Sequence, residues 1–217
     1  ADDDQLNGSS GQDTLDGGVG NDTLISGFEE GPDTLLGGGG SDELILDRSS
    51  YTGALDFTFD TAASARISLA DGTVFDSIER LASFSSGTAD DTVTFVFNQG
   101  DTLDQQYYGG EGTDHITIDL TQLTSTTNFV TSGTRDHGLY VSEPNTRIGH
   151  LVGDDYTILG GSGNDNWSLG AVTEGVELHS NAGFDNLTGG SGNDSITGGA
   201  DDDQLNGSSG QDTLDGG

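Results

Sequence analysis

The chain has 217 residues, five basic against 38 acidic side chains and a net charge of −33, so it repels nucleic acid and anionic membranes and attracts cations. It has no cysteine, which excludes a disulfide framework, a thiolate metal site and a thiol nucleophile. No apolar run is long enough to insert into a membrane, and 30% apolar content at this charge predicts disorder unless bound cations neutralise the carboxylates.

Residues 1–18 read ADDDQLNGSSGQDTLDGG, and residues 200–217 are the same string at an offset of 199. The copies agree even at free positions: Gln5 with Gln204, Asn7 with Asn206, Gln12 with Gln211. This predicts a long tandem period. The chain is expected to be one link of a longer protein, with adjacent copies of the same repeat as partners and no linker between them. Inside the long period runs a nine-residue one, G-G-x-G-x-D-x-U-x, where U is large and apolar. Its first copies are GSSGQDTLD (8–16), GGVGNDTLI (17–25), SGFEEGPDTLL (26–36, with two residues inserted) and GGGGSDELI (37–45). Residues 1–45 form the N-terminal block.

The section 46–159 breaks this period. It holds all five arginines, Arg48, Arg66, Arg80, Arg135 and Arg147, and most aromatics. Alternation in LDFTFD (55–60), ARISLA (65–70), DTVTFVF (91–97) and HITIDL (115–120) predicts strands. IERLA (78–82) is the best helical segment, and it is short. GGEGTDHIT (109–117) and the turn at Asp91 are outposts of the nonamer. Two readings stand: a continuous solenoid with wider rungs, or a small β-sandwich inserted between two blocks.

The C-terminal block, 160–217, resumes with GGSGNDNWS (160–168), SNAGFDNLT (180–188), GGSGNDSIT (189–197), GGADDDQLN (198–206) and GSSGQDTLD (207–215). In GGADDDQLN, Asp201 replaces the fourth-position glycine, which predicts a weaker or altered site.

Glycines at positions 1, 2 and 4 permit positive φ and close backbone approach to a ligand. They are complete in Gly17, Gly18 and Gly20, in Gly109, Gly110 and Gly112, in Gly160, Gly161 and Gly163, and in Gly189, Gly190 and Gly192. Position 6 supplies a carboxylate at Asp4, Asp13, Asp22, Asp33, Asp42, Asp91, Asp114, Asp165, Asp185, Asp194, Asp203 and Asp212. Loop carbonyls and carboxylates suit Ca²⁺, which takes six to eight hard oxygens in loose geometry. Magnesium demands a stricter octahedron, and zinc prefers nitrogen or sulfur. The triplet x-U-x then reads as a short strand whose centre points inward. The inward set is Leu15, Leu24, Leu35, Leu44, Ile116, Trp167, Leu187, Ile196, Leu205 and Leu214.

These in-register nonamers resemble the calcium-binding repeats of RTX proteins. The resemblance implies an all-β fold, a right-handed parallel β-roll with two nonamers per turn and several Ca²⁺ ions between loops eighteen residues apart. It would stack Asp185 on Asp203, Asp194 on Asp212 and Asp4 on Asp22. Asp13 and Asp33, twenty apart, fit that spacing less well. The family is unfolded at cytosolic calcium, is exported through a type I channel and folds outside.

No nucleophile-elbow, zinc-protease or phosphate-loop pattern occurs. His115, His137, His150 and His179 share no metal spacing, and the pairs Asp90-Asp91 and Asp154-Asp155 sit beside calcium-type turns. The chain is therefore expected not to be an enzyme. The sequence points to a calcium-dependent extender repeat of a large secreted bacterial surface, adhesin or biofilm-matrix protein. The alternatives are a module binding cell-surface carbohydrate or protein on a β-roll mount, and the secretion tail of a hydrolase or toxin. Exposed aromatics in the central section would favour the binding module.

Overall fold

A computed structural model of the chain describes residues 2–27, 31–61, 65–99, 105–131, 138–143, 146–147 and 149–217. Every regular element among them is a β-strand. Residues 78–82, the best helical segment by sequence, instead lead into and begin the strand Arg80–Ser85. There Leu81 pairs with Leu44, and both are fully buried. The apolar slot beside Leu44 outweighs a helical preference only five residues long.

The chain falls into two compact units: Ala1–Val93 with Asp104–Asp114, and Thr94–Leu103 with His115–Gly217. In the first, Gln5–Ser9, Thr23–Ser26, Glu43–Asp47, Arg80–Ser85 and Gln105–Tyr108 run parallel in one sheet. Thr14–Val19, Thr34–Gly39 and Val74–Asp76 run parallel in a second, with Ile67–Ser68 antiparallel to the last. Register follows the nonamer centres, with Leu6 opposite Leu24, Leu24 opposite Leu44, and Leu15 opposite Leu35. A rung is thus eighteen or twenty residues long. The longer step from Leu35 to Phe75 keeps register, whereas that from Leu44 to Leu81 is followed by a bulge.

In the second unit, His115–Asp119, Asp155–Leu159, Val176–Ala182, Ser195–Ala200 and Thr213–Asp215 make one parallel stack. Asn128–Thr131, Asn166–Ser168, Asn186–Thr188 and Gln204–Asn206 make the other. Antiparallel pairing enters beside Asn128–Thr131, where Gly138–Glu143 returns along it and itself pairs with Thr146–Arg147 and Gly149–Val152. The architecture is a parallel β-roll whose central rungs carry insertions.

Each rung contributes one central apolar side chain per strand. Leu24, Leu35, Leu44, Ile116, Trp167, Leu187 and Ile196 are buried, as the inward set requires, and Leu15 nearly so. Leu214 departs from that set at 47% exposure, and Leu205 is only half-buried, because a solenoid side chain is covered by the rungs on both sides and these lie at the last rungs of the chain. In the first unit, Phe57 stacks on Phe84 at 5.1 Å, and Tyr107 packs edge-on to Phe84 at 5.6 Å. Burying side chains of this size contributes roughly 1.5–3 kcal/mol each.

Candidate metal centres

Parallel strands three residues long leave the turns between them with unpaired main-chain groups. The aspartate at position 6 solves this at each turn. Its carbonyl accepts from the next rung's strand, as Asp22 O does from Glu43 N at 2.8 Å. Its N–H has no strand partner and is capped by the carboxylate one rung further on, except at Asp33, whose N–H meets Thr73 Oγ1 at 3.3 Å. Asp4 N donates to Asp22 Oδ1 at 2.8 Å, Asp22 N to Asp42 Oδ1 at 2.8 Å, and Asp13 N to Asp33 Oδ1 at 2.9 Å. Asp91 N donates to Asp114 Oδ1 at 3.0 Å. In the second unit, Asp165 N reaches Asp185 Oδ1, Asp185 N reaches Asp203 Oδ1, and Asp194 N reaches Asp212 Oδ1 at 2.7, 2.9 and 3.1 Å. The aspartates therefore stand in ladders, each carboxylate held against the turn below.

At three turns the capped N–H belongs to a residue with no carboxylate. Leu55 N donates to Asp91 Oδ1, Thr127 N to Asp165 Oδ1 and Val176 N to Asp194 Oδ1, at 2.7, 2.8 and 3.0 Å. The last two follow apolar turns closed by Leu123 N to Leu120 O and Val172 N to Leu169 O, both 2.8 Å. One face of the glycine loops at 160–165 and 189–194 thus meets a turn built from leucine and valine. At the far end of its ladder, Asp42 N donates to Glu79 Oε2 at 2.8 Å. Glu79 lies outside any nonamer, and its only sequence signal is the apolar pair around it.

The second carboxylate oxygen is the informative one. Asp22 Oδ2, Asp42 Oδ2, Asp185 Oδ2 and Asp203 Oδ2 are buried and receive no hydrogen bond. Those of Asp22, Asp42 and Asp203 lie against the first glycine of their own loops, whereas the loop of Asp185 begins with Ser180. A Cβ at Gly37 would lie 2.7 Å from Asp42 Oδ2, and one at Gly8 2.7 Å from Asp13 Oδ2. Cβ atoms at Gly17, Gly109, Gly189, Gly198 and Gly207 would collide with the corresponding Asp22, Asp114, Asp194, Asp203 and Asp212 oxygens. At Gly160 the Cβ would lie 2.9 Å from Asp165 Oδ2. Position 1 is glycine to leave room for that oxygen and whatever it binds.

Positions 2 and 4 obey two rules. Gly18, Gly20, Gly110 and Gly112 have positive φ, as the motif predicts. Asp201, in the place of a glycine, takes the same left-handed region at φ 82°, which aspartate tolerates better than most residues. Gly161, Gly163, Gly190 and Gly192 depart from the expectation, because their φ is not positive. Steric room is what they supply. Cβ atoms there would strike Leu123 O, Ser125 O, Val172 O and Glu174 of the preceding rung.

A buried carboxylate oxygen without a donor costs about 1–3 kcal/mol or more. Burial accordingly pushes the carboxyls of Asp42, Glu79, Asp185 and Asp194 above their ordinary values. The neighbouring charges of Asp22, Asp42, Asp203 with Asp201, and Asp212 push in the same direction. Among the described residues no three Asp, Glu, His or Cys side chains gather at one point. A cation here must therefore be held by main-chain carbonyls plus one or two carboxylates, an all-oxygen set that fits Ca²⁺.

The family model described as the RTX calcium-binding nonapeptide repeat (4 copies) matches residues 1–28, 29–49 and 179–214. The chain therefore carries RTX calcium-binding nonapeptide repeats in these segments. No curated protein and no solved structure matches the chain. The RTX segments contain Asp22, Asp42, Asp185 and Asp203, the aspartates with donorless inner oxygens. Asp91, Asp114 and Asp165 lie outside the matched segments, yet their hydrogen bonds copy those of the RTX turns.

A second rail of hydrogen bonds escapes the motif G-G-x-G-x-D. Position 5, its free position, carries side chains that accept from the rung above. Asn21 N donates to Asp3 Oδ1, Ser41 N to Asn21 Oδ1, Phe184 N to Asn164 Oδ1 and Gln211 N to Asn193 Oδ1, at 2.8 to 3.0 Å. This rail runs opposite to the aspartate ladder and lies on the exposed side of the turn. The sequence signal was the recurrent Asn or Asp before the position-6 Asp. The histidines stay out of the turns: His115 meets Asp155 at 3.2 Å, and His179 meets Glu177 at 3.0 Å. The side chains of His137 and His150 fall outside the described residues.

Proposed function

We propose that the chain is a calcium-dependent extender segment of a large secreted bacterial surface protein, without a catalytic role. The observation that carries this reading is that the buried, donorless Oδ2 atoms of Asp22, Asp42 and Asp203 face glycine in the RTX turns. Asp4 with Asp22, Asp22 with Asp42, Asp13 with Asp33, Asp91 with Asp114, Asp165 with Asp185, Asp185 with Asp203, and Asp194 with Asp212 are the carboxylate pairs that would hold the ions. Calcium supplies positive charge and oxygen coordination there. The chain supplies preformed turns, whose carboxylates repel one another until they are neutralised. Extracellular modules bind calcium at about 10⁻⁴–10⁻³ M. A site at a hundred times its dissociation constant adds about 2.7 kcal/mol of stability. RTX repeats occur in proteins secreted by type I systems, which agrees with a chain that stays unfolded at low calcium and folds outside the cell.

The extender role is supported by what the central section does with its aromatics. Phe57, Phe59, Phe75, Phe84, Phe95, Phe97 and Tyr107 are buried, where a binding module would expose them. The 199-residue duplication supports adjacent copies as neighbours. Circular dichroism at moderate ionic strength tests the reading. β-Structure is expected in millimolar calcium and is lost in excess EDTA, with magnesium failing to restore it. A spectrum indifferent to EDTA overturns it.

A further inference from the structure

One RTX turn, that of Asp33, holds a buried arginine. In the loop that begins at Ser26 and ends at Asp33, position 1 is serine, and Asp33 Oδ2 has partners: Ser26 Oγ donates to it, and the Arg48 guanidinium lies 3.5 Å away. Arg48 is 1% exposed. It is wedged between this loop and the turn stacked on it, where Thr73 N–H leads into the strand that pairs Val74 with Thr34. From the first loop Arg48 takes Gly27 O at 2.9 Å, Ser26 Oγ at 3.2 Å and Asp33 Oδ2. From the second it takes Asp71 Oδ2 at 2.7 Å and Thr73 Oγ1 at 2.8 Å, and Asp47 O adds a contact at 2.9 Å. Loop carbonyls, hydroxyls and one carboxylate from each turn, converging on a buried positive charge between successive turns, are the kind of environment the other turns offer a metal ion.

We propose that Arg48 is a built-in cation that replaces calcium between Asp33 and the stacked turn 69–73. The physical reason is the geometry of guanidinium. Its planar fork carries five N–H donors and stays charged at any accessible pH, so it can satisfy several oxygens at once. A buried charge persists only where it is paired and fully hydrogen-bonded, and here both carboxylate and carbonyl partners are present. The rung that departs from the eighteen-residue period, where insertions separate Thr34 from Val74, is therefore closed without an ion. Its closure does not depend on calcium concentration, whereas that of the Asp22, Asp42, Asp185 and Asp203 turns does.

The inference rests on calcium filling the other turns, and one experiment separates the two. Crystals of the full chain grown in calcium are soaked in terbium, and anomalous difference maps are calculated. Peaks are expected at the aspartate pairs and none between Asp33 and the stacked turn 69–73. No peaks anywhere would remove the calcium reading itself. Peaks at the pairs together with one between Asp33 and Asp71 would overturn only the role of Arg48. Arg48→Ala supplies the converse: in saturating calcium, equilibrium dialysis is expected to find one more calcium per folded chain than in the parent. An unchanged count in a folded variant overturns the proposal. If the variant does not fold, the terbium map of the parent protein still decides.

Discussion

Asp22 N donates to Asp42 Oδ1 at 2.8 Å, while the other oxygen of Asp42, buried beside Gly37, receives no donor. One carboxylate thus divides its work: Oδ1 closes a turn of protein, and Oδ2 waits for a cation. Asp42→Asn keeps the first task and removes the charge from the second. Two opposite outcomes are expected. In calcium, the concentration needed to fold the chain rises, by roughly 10–100-fold for the turns that share Asp42. In EDTA, the variant is less destabilised than the parent, because a buried unpaired charge has gone. Calcium titrations and urea melts under both conditions check this, and equal shifts in both would contradict the division of roles.

Buried carboxylates in and beside the turns set a pH dependence. Burial first, and neighbouring carboxylates second, hold Asp42, Glu79, Asp185 and Asp194 above their ordinary values in the folded chain. Without calcium, the folded state therefore binds protons that the unfolded state has already released. The stability these groups contribute is complete below the unfolded carboxylate range near 4 and is lost as pH rises through their raised folded values. The EDTA-treated chain is expected to gain β-structure on acidification toward about pH 4. The calcium-loaded chain shows the reverse, because protons compete for the same oxygens, and its calcium midpoint rises as pH falls. Circular dichroism across this range, with and without calcium, reads both.

Position-1 glycine is expected to be intolerant for a steric reason. In Gly37→Ala the new methyl meets Asp42 Oδ2 at 2.7 Å and collides with Ser77 O. A cost of about 2 kcal/mol or more is expected. Gly11→Ala meets nothing within 4 Å but sits at φ 115°, so only the backbone term of about 1 kcal/mol applies. Gly216→Ala, with open space around it and no positive φ, is neutral within about 0.5 kcal/mol. Thermal melts in saturating calcium should rank the three in that order.

Trp167 gives the second unit its own reporter. It is fully buried, and its Nε1–H donates to Thr127 Oγ1 at 2.8 Å, beside the point where Thr127 caps Asp165 Oδ1. Chelation is expected to shift tryptophan emission to the red as the ladder opens. Thr127→Val removes both hydroxyl bonds at little change in volume. It should destabilise the unit by about 1–3 kcal/mol, seen as a higher calcium midpoint for the fluorescence change.

The glycines and aspartates were legible in the sequence because they recur in phase with the nine-residue period. The inward leucines were legible for the same reason, through the two-residue alternation of x-U-x. Two readings fell short. IERLA carries no record that Leu44 lies opposite Leu81, since that pairing spans 37 residues. Asp91 and Asp114, 23 residues apart, did not look like a pair until Tyr107 and Phe84 brought their rungs into register.

The sequence by itself determined the repeating turn and the all-oxygen chemistry of its ligands. Each of these follows from a period written nine residues at a time. Only the tertiary structure decided which turns face which, because an insertion changes the distance along the chain without changing the distance across the roll. That is why Glu79 ends the Asp42 ladder, why Leu120 and Leu169 begin turns that carry no carboxylate, and why Arg48 lies between two turns. A charge placed 15 residues from Asp33 and 23 from Asp71 becomes their shared partner only once the rungs have stacked.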